Sequence, residues 1–140
     1  MTENGRGIAE NKRTVLDFMQ SLSSMAPDWD LLADDASWWI QGRETLDKPA
    51  FQAIAAAMHD KRTGGQMFID HVTAEEDRVA VESHSRIEMK DGRLFENTYH
   101  FLFTLRDGKI VAAREHYDTA YARDFFGAAA QDQMIAGARG

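Results

Sequence analysis

The stretch that decides the fold occupies residues 95–117 and reads FENTYHFLFTLRDGKIVAAREHY. Apolar and polar side chains alternate over residues 95–105, and residues 109–117 form a second candidate strand. Between them lies the turn Arg106-Asp107-Gly108, whose Asp-Gly pair is typical of a β-hairpin. The stretch therefore predicts two antiparallel strands joined by a short turn.

Two more strands are predicted before this pair, over residues 67–73 and 78–89. Short polar turns at residues 75–77 and 90–92 separate them from each other and from the strand that follows. Because turns of this length join neighbouring antiparallel strands, the four strands should form a meander.

The first half of the chain is predicted to be mainly helical. Apolar residues recur at helical spacing over residues 11–24, and again over residues 48–58 after the helix-start signal Asp47-Lys48-Pro49. A helix stop is expected before Gly64-Gly65, and a short strand at residues 36–40. Helices followed by strands indicate the α+β class.

Length and composition predict one domain. The chain has 140 residues, 44% of them hydrophobic, which is enough for one core and too few residues for two ordinary domains. We expect a flexible N-terminus over residues 1–10, a folded domain over residues 11–127, and a frayed tail over residues 128–140.

Charge and residue types exclude several classes of function. A net charge of −7, with 16 basic residues scattered along the chain, opposes nucleic-acid binding. The absence of cysteine excludes disulfides, thiol catalysis and cysteine-ligated zinc. The sequence shows neither a signal-peptide pattern nor an apolar run of membrane-spanning length, so we expect a cytoplasmic protein with no membrane partner.

The order helix, short strand, helix and long meander resembles the nuclear transport factor 2-like superfamily, which includes SnoaL-like polyketide cyclases, ketosteroid isomerases and limonene epoxide hydrolases. The resemblance covers roughly residues 11–127. Its most specific segments are DDASWW (34–39), DRVAVE (77–82), NTYHF (97–101), DGKI (107–110) and REHYD (114–118). It implies a cystatin-like fold, in which a cone-shaped, curved antiparallel sheet packs against N-terminal helices around a hydrophobic pocket, and it implies a homodimer.

The loop at residues 106–108 decides whether Glu115 faces that pocket. In a three-residue loop Leu105 pairs with Lys109, Tyr99 lies opposite Glu115, and Glu115 points inward. A two-residue loop would shift the register by one and turn Glu115 to solvent. We favour the first register, because the resemblance implies a pocket position seven residues after the turn glycine, where the epoxide hydrolases carry a catalytic carboxylate.

Glu115 is the candidate acid or base. A carboxylate buried beside aromatic side chains loses hydration, which raises its pKa toward the range useful for proton transfer. The alternative is a structural carboxylate that is hydrogen-bonded within the core. Tyr99 and Asn97 on the neighbouring strand are candidates for donating hydrogen bonds to a substrate oxygen, or for holding the core network together.

We therefore predict Glu115 and Tyr99 as catalytic residues. The predicted substrate-binding residues are Trp39, His71, Ser83, Asn97, Phe101 and Tyr117. One of the adjacent Trp38 and Trp39 is expected to line the pocket, and alternation leaves the direction of His71 open. No cofactor is expected, because proton transfer requires none. No metal is expected either, because the outward-facing His84 and His100 lie on separate strands and are interpreted as surface residues.

The resemblance does not extend to the better-understood active sites. Where ketosteroid isomerases carry a tyrosine and two aspartates, this chain carries Phe18, Phe101 and about Ile40. Where the epoxide hydrolases carry an arginine and an aspartate, Ser83 and Ser85 stand instead. Neither of those reactions is therefore implied.

Three functional hypotheses follow. The first is an acid/base enzyme, an isomerase, cyclase, dehydratase or hydrolase, that acts on a hydrophobic small molecule with a carbonyl or hydroxyl group. The second is a non-catalytic binder of a lipophilic ligand, suggested by the mainly apolar pocket wall. The third is a dimeric interaction module whose pocket is filled by side chains.

Overall fold

The computed structural model describes residues 2–24, 26–127 and 136–137, with side chains from residue 7 onward. In chain order the elements are α1 (Thr2–Ser23), a 3-10 turn (Trp29–Leu31), β1 (Leu32–Ile40), β2 (Thr45–Asp47), α2 (Lys48–Asp60), β3 (Arg62–Glu75), β4 (Arg78–Met89), β5 (Leu94–Phe95), β6 (Thr98–Arg106), β7 (Lys109–Tyr117) and α3 (Thr119–Phe126). The predicted tail lies almost entirely outside the described residues, and α1 begins well before the predicted start at Asn11. None of the helices in the described part of the chain is long and apolar enough to cross a membrane.

The strands form one curved, open sheet, and the α+β prediction is confirmed. The strand order is β2-β1-β7-β6-β4-β3, with β5 beside β4. The predicted antiparallel meander is present from β3 to β7, whereas β1 joins the sheet by pairing in parallel with β7. Nothing in the local sequence marked this parallel pairing, because it joins segments that lie far apart in the chain.

Gly64 and Gly65, expected to follow a helix end, lie inside β3. They pair with Glu88 and Ile87 of β4. A Cβ at position 65 would lie 3.2 Å from Cγ1 of Ile87 and 3.3 Å from Nη1 of Arg62. Glycine at position 65 therefore allows close packing within the sheet and does not form a turn.

The helices α1 and α2 pack on one side of the sheet, which we call the inner face. Trp38 of β1 lies at the centre of this contact, stacked on Phe51 of α2 with ring centroids 3.8 Å apart and an interplanar angle of 11°. Fully buried core neighbours come from helix and sheet alike: Val15, Phe18, Met19, Val79, Val81, Phe103 and Ile110. The alternation predicted for β4 and β6 is confirmed, since both strands turn their apolar set toward this face.

The hairpin between β6 and β7 differs from the favoured prediction. Arg106 pairs with Lys109, so the loop contains only Asp107 and Gly108. Both loop residues have positive φ, 53° and 77°, as a tight type I′ hairpin turn requires. The three-residue loop was therefore the wrong prediction.

A β-bulge in β7 nevertheless turns Glu115 to the inner face, as predicted. Leu105 pairs with Ile110 but Thr104 pairs with Ala112, so Val111 is an extra residue in β7. Beyond the bulge Phe101, rather than Tyr99, lies opposite Glu115. Because paired residues face the same side of a sheet, Glu115 still points to the inner face.

The conformation of this turn can be tested with Gly108→Ala. No heavy atom lies within 4 Å of the position that a Cβ would take, so the cost is that of holding a left-handed residue. We expect the free energy of unfolding, measured by urea titration, to fall by about 1–2 kcal/mol.

Gly64→Ala is the matched control for Gly108→Ala. Position 64 is equally open, but its φ lies outside the left-handed region. We expect the free energy of unfolding to fall by less than about 0.5 kcal/mol, or to rise slightly. Equal losses at the two positions would contradict the turn described above.

Candidate functional site

Two adjoining cavities lie between the inner face and α2. The larger has a volume of about 200 Å³ and the smaller about 140 Å³. Both are lined by Ile40, Ile54, Met58, Tyr99 and Glu115. Taken together they reach the lower end of the range of small-molecule sites, roughly 300–1,000 Å³.

Glu115 is the acidic side chain where the two cavities meet. Its Oε1 accepts a hydrogen bond of 2.8 Å from Nε1 of Trp38. Burial among apolar side chains raises the pKa of Glu115 from its ordinary 4.5 to about 7, and the hydrogen bond from Trp38 opposes part of that rise. Near neutral pH the carboxyl group is therefore present in both protonation states, as an acid/base group must be.

The sheet explains why this carboxyl group meets this indole. The parallel pairing of β1 with β7 sets Ile40 beside Glu115 and Trp38 beside Ala113. Trp38 lies two residues before Ile40 on the same face of β1, so its ring reaches the carboxyl group from the adjacent strand.

Tyr99 brings a neutral hydroxyl group to the same place. Its Oη and the Oγ of buried Ser85 share a hydrogen bond of 2.9 Å. Burial raises the pKa of Tyr99 well above its ordinary range, the Ser85 hydrogen bond opposes this, and the charge of Glu115 adds to it. The phenol therefore stays protonated near neutrality and keeps a proton with which to donate a hydrogen bond.

Tyr117 and Arg43 line the smaller cavity. Burial raises the pKa of Tyr117, as does the charge of Glu115, while the charge and hydrogen bond of Arg43 lower it. The smaller cavity thus combines a carboxyl group, two phenols, a guanidinium and the side chain of Asn97 with an otherwise apolar wall.

Five of the predicted site residues meet at these cavities. Glu115, Tyr99, Asn97, Phe101 and Tyr117 all line one or both. The side chain of Asn97 is engaged with the backbone, because its Nδ2 donates to the carbonyl of Asp118 and its Oδ1 accepts from the amide of Thr98. Asn97 therefore supports the network, in line with the alternative role considered for it.

Trp39 does not line either cavity. It lies on the outer face of the sheet, where its ring is 5.0 Å from His116 and under the guanidinium of Arg114 at 4.1 Å. Trp38 occupies the inner position because it pairs with Ala113, which is buried on the inner face. The expectation that Trp39 shapes the pocket was therefore wrong, and Trp38 lines the larger cavity instead.

His71 and Ser83 also lie outside the two cavities. His71 is exposed, because a bulge at Asp70 pairs Ile69 with Ser83 but His71 with the outward-facing Glu82. Ser83 is buried and contributes to a shallow cleft of about 530 Å³, most of whose lining comes from the outer face. Ser85, two residues later on the same side of β4, lines the larger cavity instead.

The residues that sequence reasoning missed fall into two kinds. Ser85 carried a usable signal, since strand alternation placed it on the inner face of β4, whereas for the two tryptophans alternation predicted only that one of them faces inward. Arg43 and Arg62 line the cavities without any distinguishing sequence context, because isolated basic residues near turns are common on protein surfaces.

No group of three or more metal-ligating side chains is arranged to hold a metal ion within the described residues. The outer-face histidines His84, His100 and His116 are therefore not gathered into such a site. His84 is instead paired with Asp70, with 2.8 Å between Nδ1 and Oδ2.

The buried carboxyl group predicts a pH-dependent stability. The pKa of Glu115 rises from 4.5 in the unfolded chain to about 7 in the folded chain, so the folded state binds the extra proton. Below pH 4.5 this proton adds about 3 kcal/mol to the free energy of unfolding, compared with the value above pH 7. The added stability is lost progressively as the pH rises from 4.5 to about 7. Glu115→Gln should remove this dependence in urea unfolding, while Glu82→Gln on the outer face should keep it. Parallel stability curves for wild type and Glu115→Gln between pH 4 and 8 would contradict the burial of this group.

The hydrogen bond from Trp38 predicts how a substitution changes the pKa of Glu115. Trp38→Phe keeps an aromatic ring but removes the donor to Oε1, so the pKa of Glu115 should rise above about 7. The infrared band of the protonated carboxyl, identified by its loss in Glu115→Gln, reports the midpoint. Trp39→Phe on the outer face should leave that midpoint unchanged, and an equal effect of the two substitutions would be inconsistent with the hydrogen bond.

Comparison with solved structures shows the same architecture in distant proteins. PrhC from Penicillium brasilianum NBRC 6234 superposes with a TM-score of 0.77 at 13% identity, over 94% of this chain and 95% of that one. A protein with a ketosteroid isomerase-like fold from Catenulispora acidiphila DSM 44928 gives 0.68 at 15%, over 77% and 87%. An LEH-like epoxide hydrolase of M. tuberculosis gives 0.67 at 20%, over 81% and 86%. At these identities the likeness shows the fold alone.

The sequence itself carries the family assignment. No curated protein is significantly similar to the chain. The model of the SnoaL-like domain matches residues 25–113, which run from the end of α1 to the middle of β7. The chain therefore belongs to the SnoaL-like domain family, within the nuclear transport factor 2-like fold.

Proposed function

We propose that this SnoaL-like protein is an acid/base enzyme acting on a hydrophobic small molecule that carries a carbonyl or hydroxyl group. The observation that carries the proposal is the carboxyl group of Glu115, which lines two apolar cavities and has a pKa of about 7. A group with that pKa accepts and returns protons at neutral pH without a metal or cofactor.

Tyr99 would stabilise the negative charge that develops when Glu115 removes a proton. In the proposed reaction the carboxylate of Glu115 removes a proton from a carbon next to a substrate carbonyl, and the electron pair moves to the carbonyl oxygen as an enolate. The neutral Tyr99 phenol, which lines the same cavities, donates a hydrogen bond to that oxygen. Return of the proton from Glu115 to another atom of the substrate completes an isomerisation or a related step.

The solved relatives support the reaction class only in general terms. One has a ketosteroid isomerase-like fold and another is an epoxide hydrolase, so this architecture hosts small-molecule chemistry elsewhere. The aspartates that the resemblance implies for the isomerases are replaced here by Phe101 and about Ile40, and the arginine and aspartate of the epoxide hydrolases by Ser83 and Ser85. The proposal therefore rests on Glu115 and Tyr99 and not on either of those mechanisms.

A non-catalytic binder of lipophilic ligands is the second candidate. Most of the cavity wall is aliphatic or aromatic, with Ile54 and Met58 of α2 facing Tyr99 and Phe101 of the sheet. Such a wall binds apolar molecules whether or not a proton moves. The presence of these cavities counts against the third hypothesis, a site filled by its own side chains.

Proton exchange on a simple ketone tests the enzymatic proposal, and it does not require the natural substrate. In deuterium oxide the α protons of 2-tetralone, a bicyclic ketone, exchange slowly, and the exchange is followed by proton NMR. Wild type should accelerate it, and Glu115→Gln should lose about 100-fold or more of the acceleration, the usual worth of a general base. The accelerated rate should rise with pH through about 7, because the charged form of Glu115 is the base.

Glu82→Gln, which removes an exposed carboxyl on the outer face, is the matched control and should keep the wild-type rate. Full acceleration by Glu115→Gln would refute the role of Glu115. Binding of 2-tetralone without any acceleration by wild type would favour the non-catalytic binder.

A further inference from the structure

A second charged group lines the larger cavity. Arg62, the first residue of β3, lies at the part of that cavity which the smaller cavity does not share, together with Leu22, Ser23, His59 and Gln66. Its relative exposure is 6%, an unusual degree of burial for an arginine.

The guanidinium is only partly satisfied. Nη2 donates to the carbonyl oxygens of Leu22, Ser23 and Ser24 at 3.1, 3.2 and 3.3 Å, which caps the C-terminal end of α1. Nε is buried without a hydrogen-bond partner. Within the described residues, Nη1 donates no hydrogen bond and no carboxylate forms an ion pair with Arg62.

Among the described residues, this arrangement leaves a positive charge inside the protein without a counter-charge. Burial lowers the pKa of Arg62, but an arginine remains charged at neutral pH. An unpaired buried charge destabilises the folded state unless other dipoles compensate for it, and the three helix carbonyls do so in part. The cap of α1 explains the hydrogen bonds of Nη2. It does not involve Nη1.

Glycine at position 65 lets the guanidinium lie close to the backbone of β3. The position that a Cβ would take at Gly65 lies only 3.3 Å from Nη1, so any side chain there would crowd this nitrogen. Arg62 and Glu115 thus line one apolar cavity and present opposite kinds of polar group to its contents.

We infer that Arg62 binds a carboxylate oxygen of the ligand through Nη1, while the apolar body of the ligand lies along the cavity toward Glu115. This inference rests on the proposed function in one respect, that the same cavity holds the substrate. It narrows the substrate class to apolar molecules with an acidic oxygen. Guanidinium groups are well suited to such oxygens because charge-assisted hydrogen bonds are roughly twice as strong as neutral ones.

A pair of probes that differ only in charge tests the inference. The carboxylate 2-naphthoate and its neutral amide, 2-naphthamide, have the same ring system and similar size. Their dissociation constants are measured by calorimetry at pH 6, where the naphthoate is ionised and Glu115 is mostly protonated. Wild type should bind 2-naphthoate about tenfold or more tightly than 2-naphthamide, and Arg62→Met should remove that preference.

Arg86→Met is the matched control, because Arg86 is exposed on the outer face of the neighbouring strand β4. It should keep the wild-type preference. Arg62→Met also removes the cap of α1, so Gly65→Ala provides an independent variant that crowds Nη1 and leaves the guanidinium in place. The preference should fall at least threefold in Gly65→Ala.

The inference is overturned if wild type binds the two probes equally, if it binds neither, or if a folded Arg62→Met keeps the preference for 2-naphthoate. If Arg62→Met fails to fold, an unchanged preference in Gly65→Ala overturns it. Glu115→Gln separates this inference from the proposed function, since it should abolish proton exchange and retain the preference for the acid. A protein that shows the preference but never accelerates exchange would refute the enzymatic proposal and leave the role of Arg62 intact.

Discussion

The extra residue in β7 is the constraint on which the site depends. The two-residue turn at Asp107-Gly108 would place the residues beyond it with Glu115 toward solvent, and the bulge at Val111 reverses their direction. Glu115 and Tyr117 then face α2 and the cavities, while Arg114 and His116 face outward beside Trp39. A bulge next to a site is a common way for a sheet to redirect a side chain without a change of fold.

Once Glu115 faces inward, its surroundings set its chemistry. Loss of hydration favours the neutral acid, and the hydrogen bond from Trp38 is too weak to restore an ordinary pKa. Trp38 is itself fixed by stacking on Phe51 and by the parallel pairing of β1 with β7. The position and the proton affinity of the carboxyl group therefore both follow from how the centre of the sheet is paired and packed.

Much of the fold was predictable from short-range pattern. The alternation along β4 and β6 identified the inner faces correctly, since an apolar set at every second residue has only one way to be buried. Pairing between distant segments was not predictable, and neither was the bulge, because Val111 is an ordinary strand residue. Two adjacent tryptophans gave no reason to prefer Trp38 over Trp39. Arg62 stands beside the helix stop that the sequence predicted before Gly64-Gly65, and its burial depends on the packing of α1 on β3. The homodimer, the cytoplasmic location and the hydrophobic ligand remain predictions.

The direct measurement is a pH titration of the Glu115 side-chain carboxyl carbon by NMR, with Glu115→Gln used to assign its signal. A carboxyl group held among apolar side chains with one indole donor should titrate with a midpoint near 7. A midpoint near the ordinary value of 4.5 would show a hydrated carboxylate and contradict the account of this site.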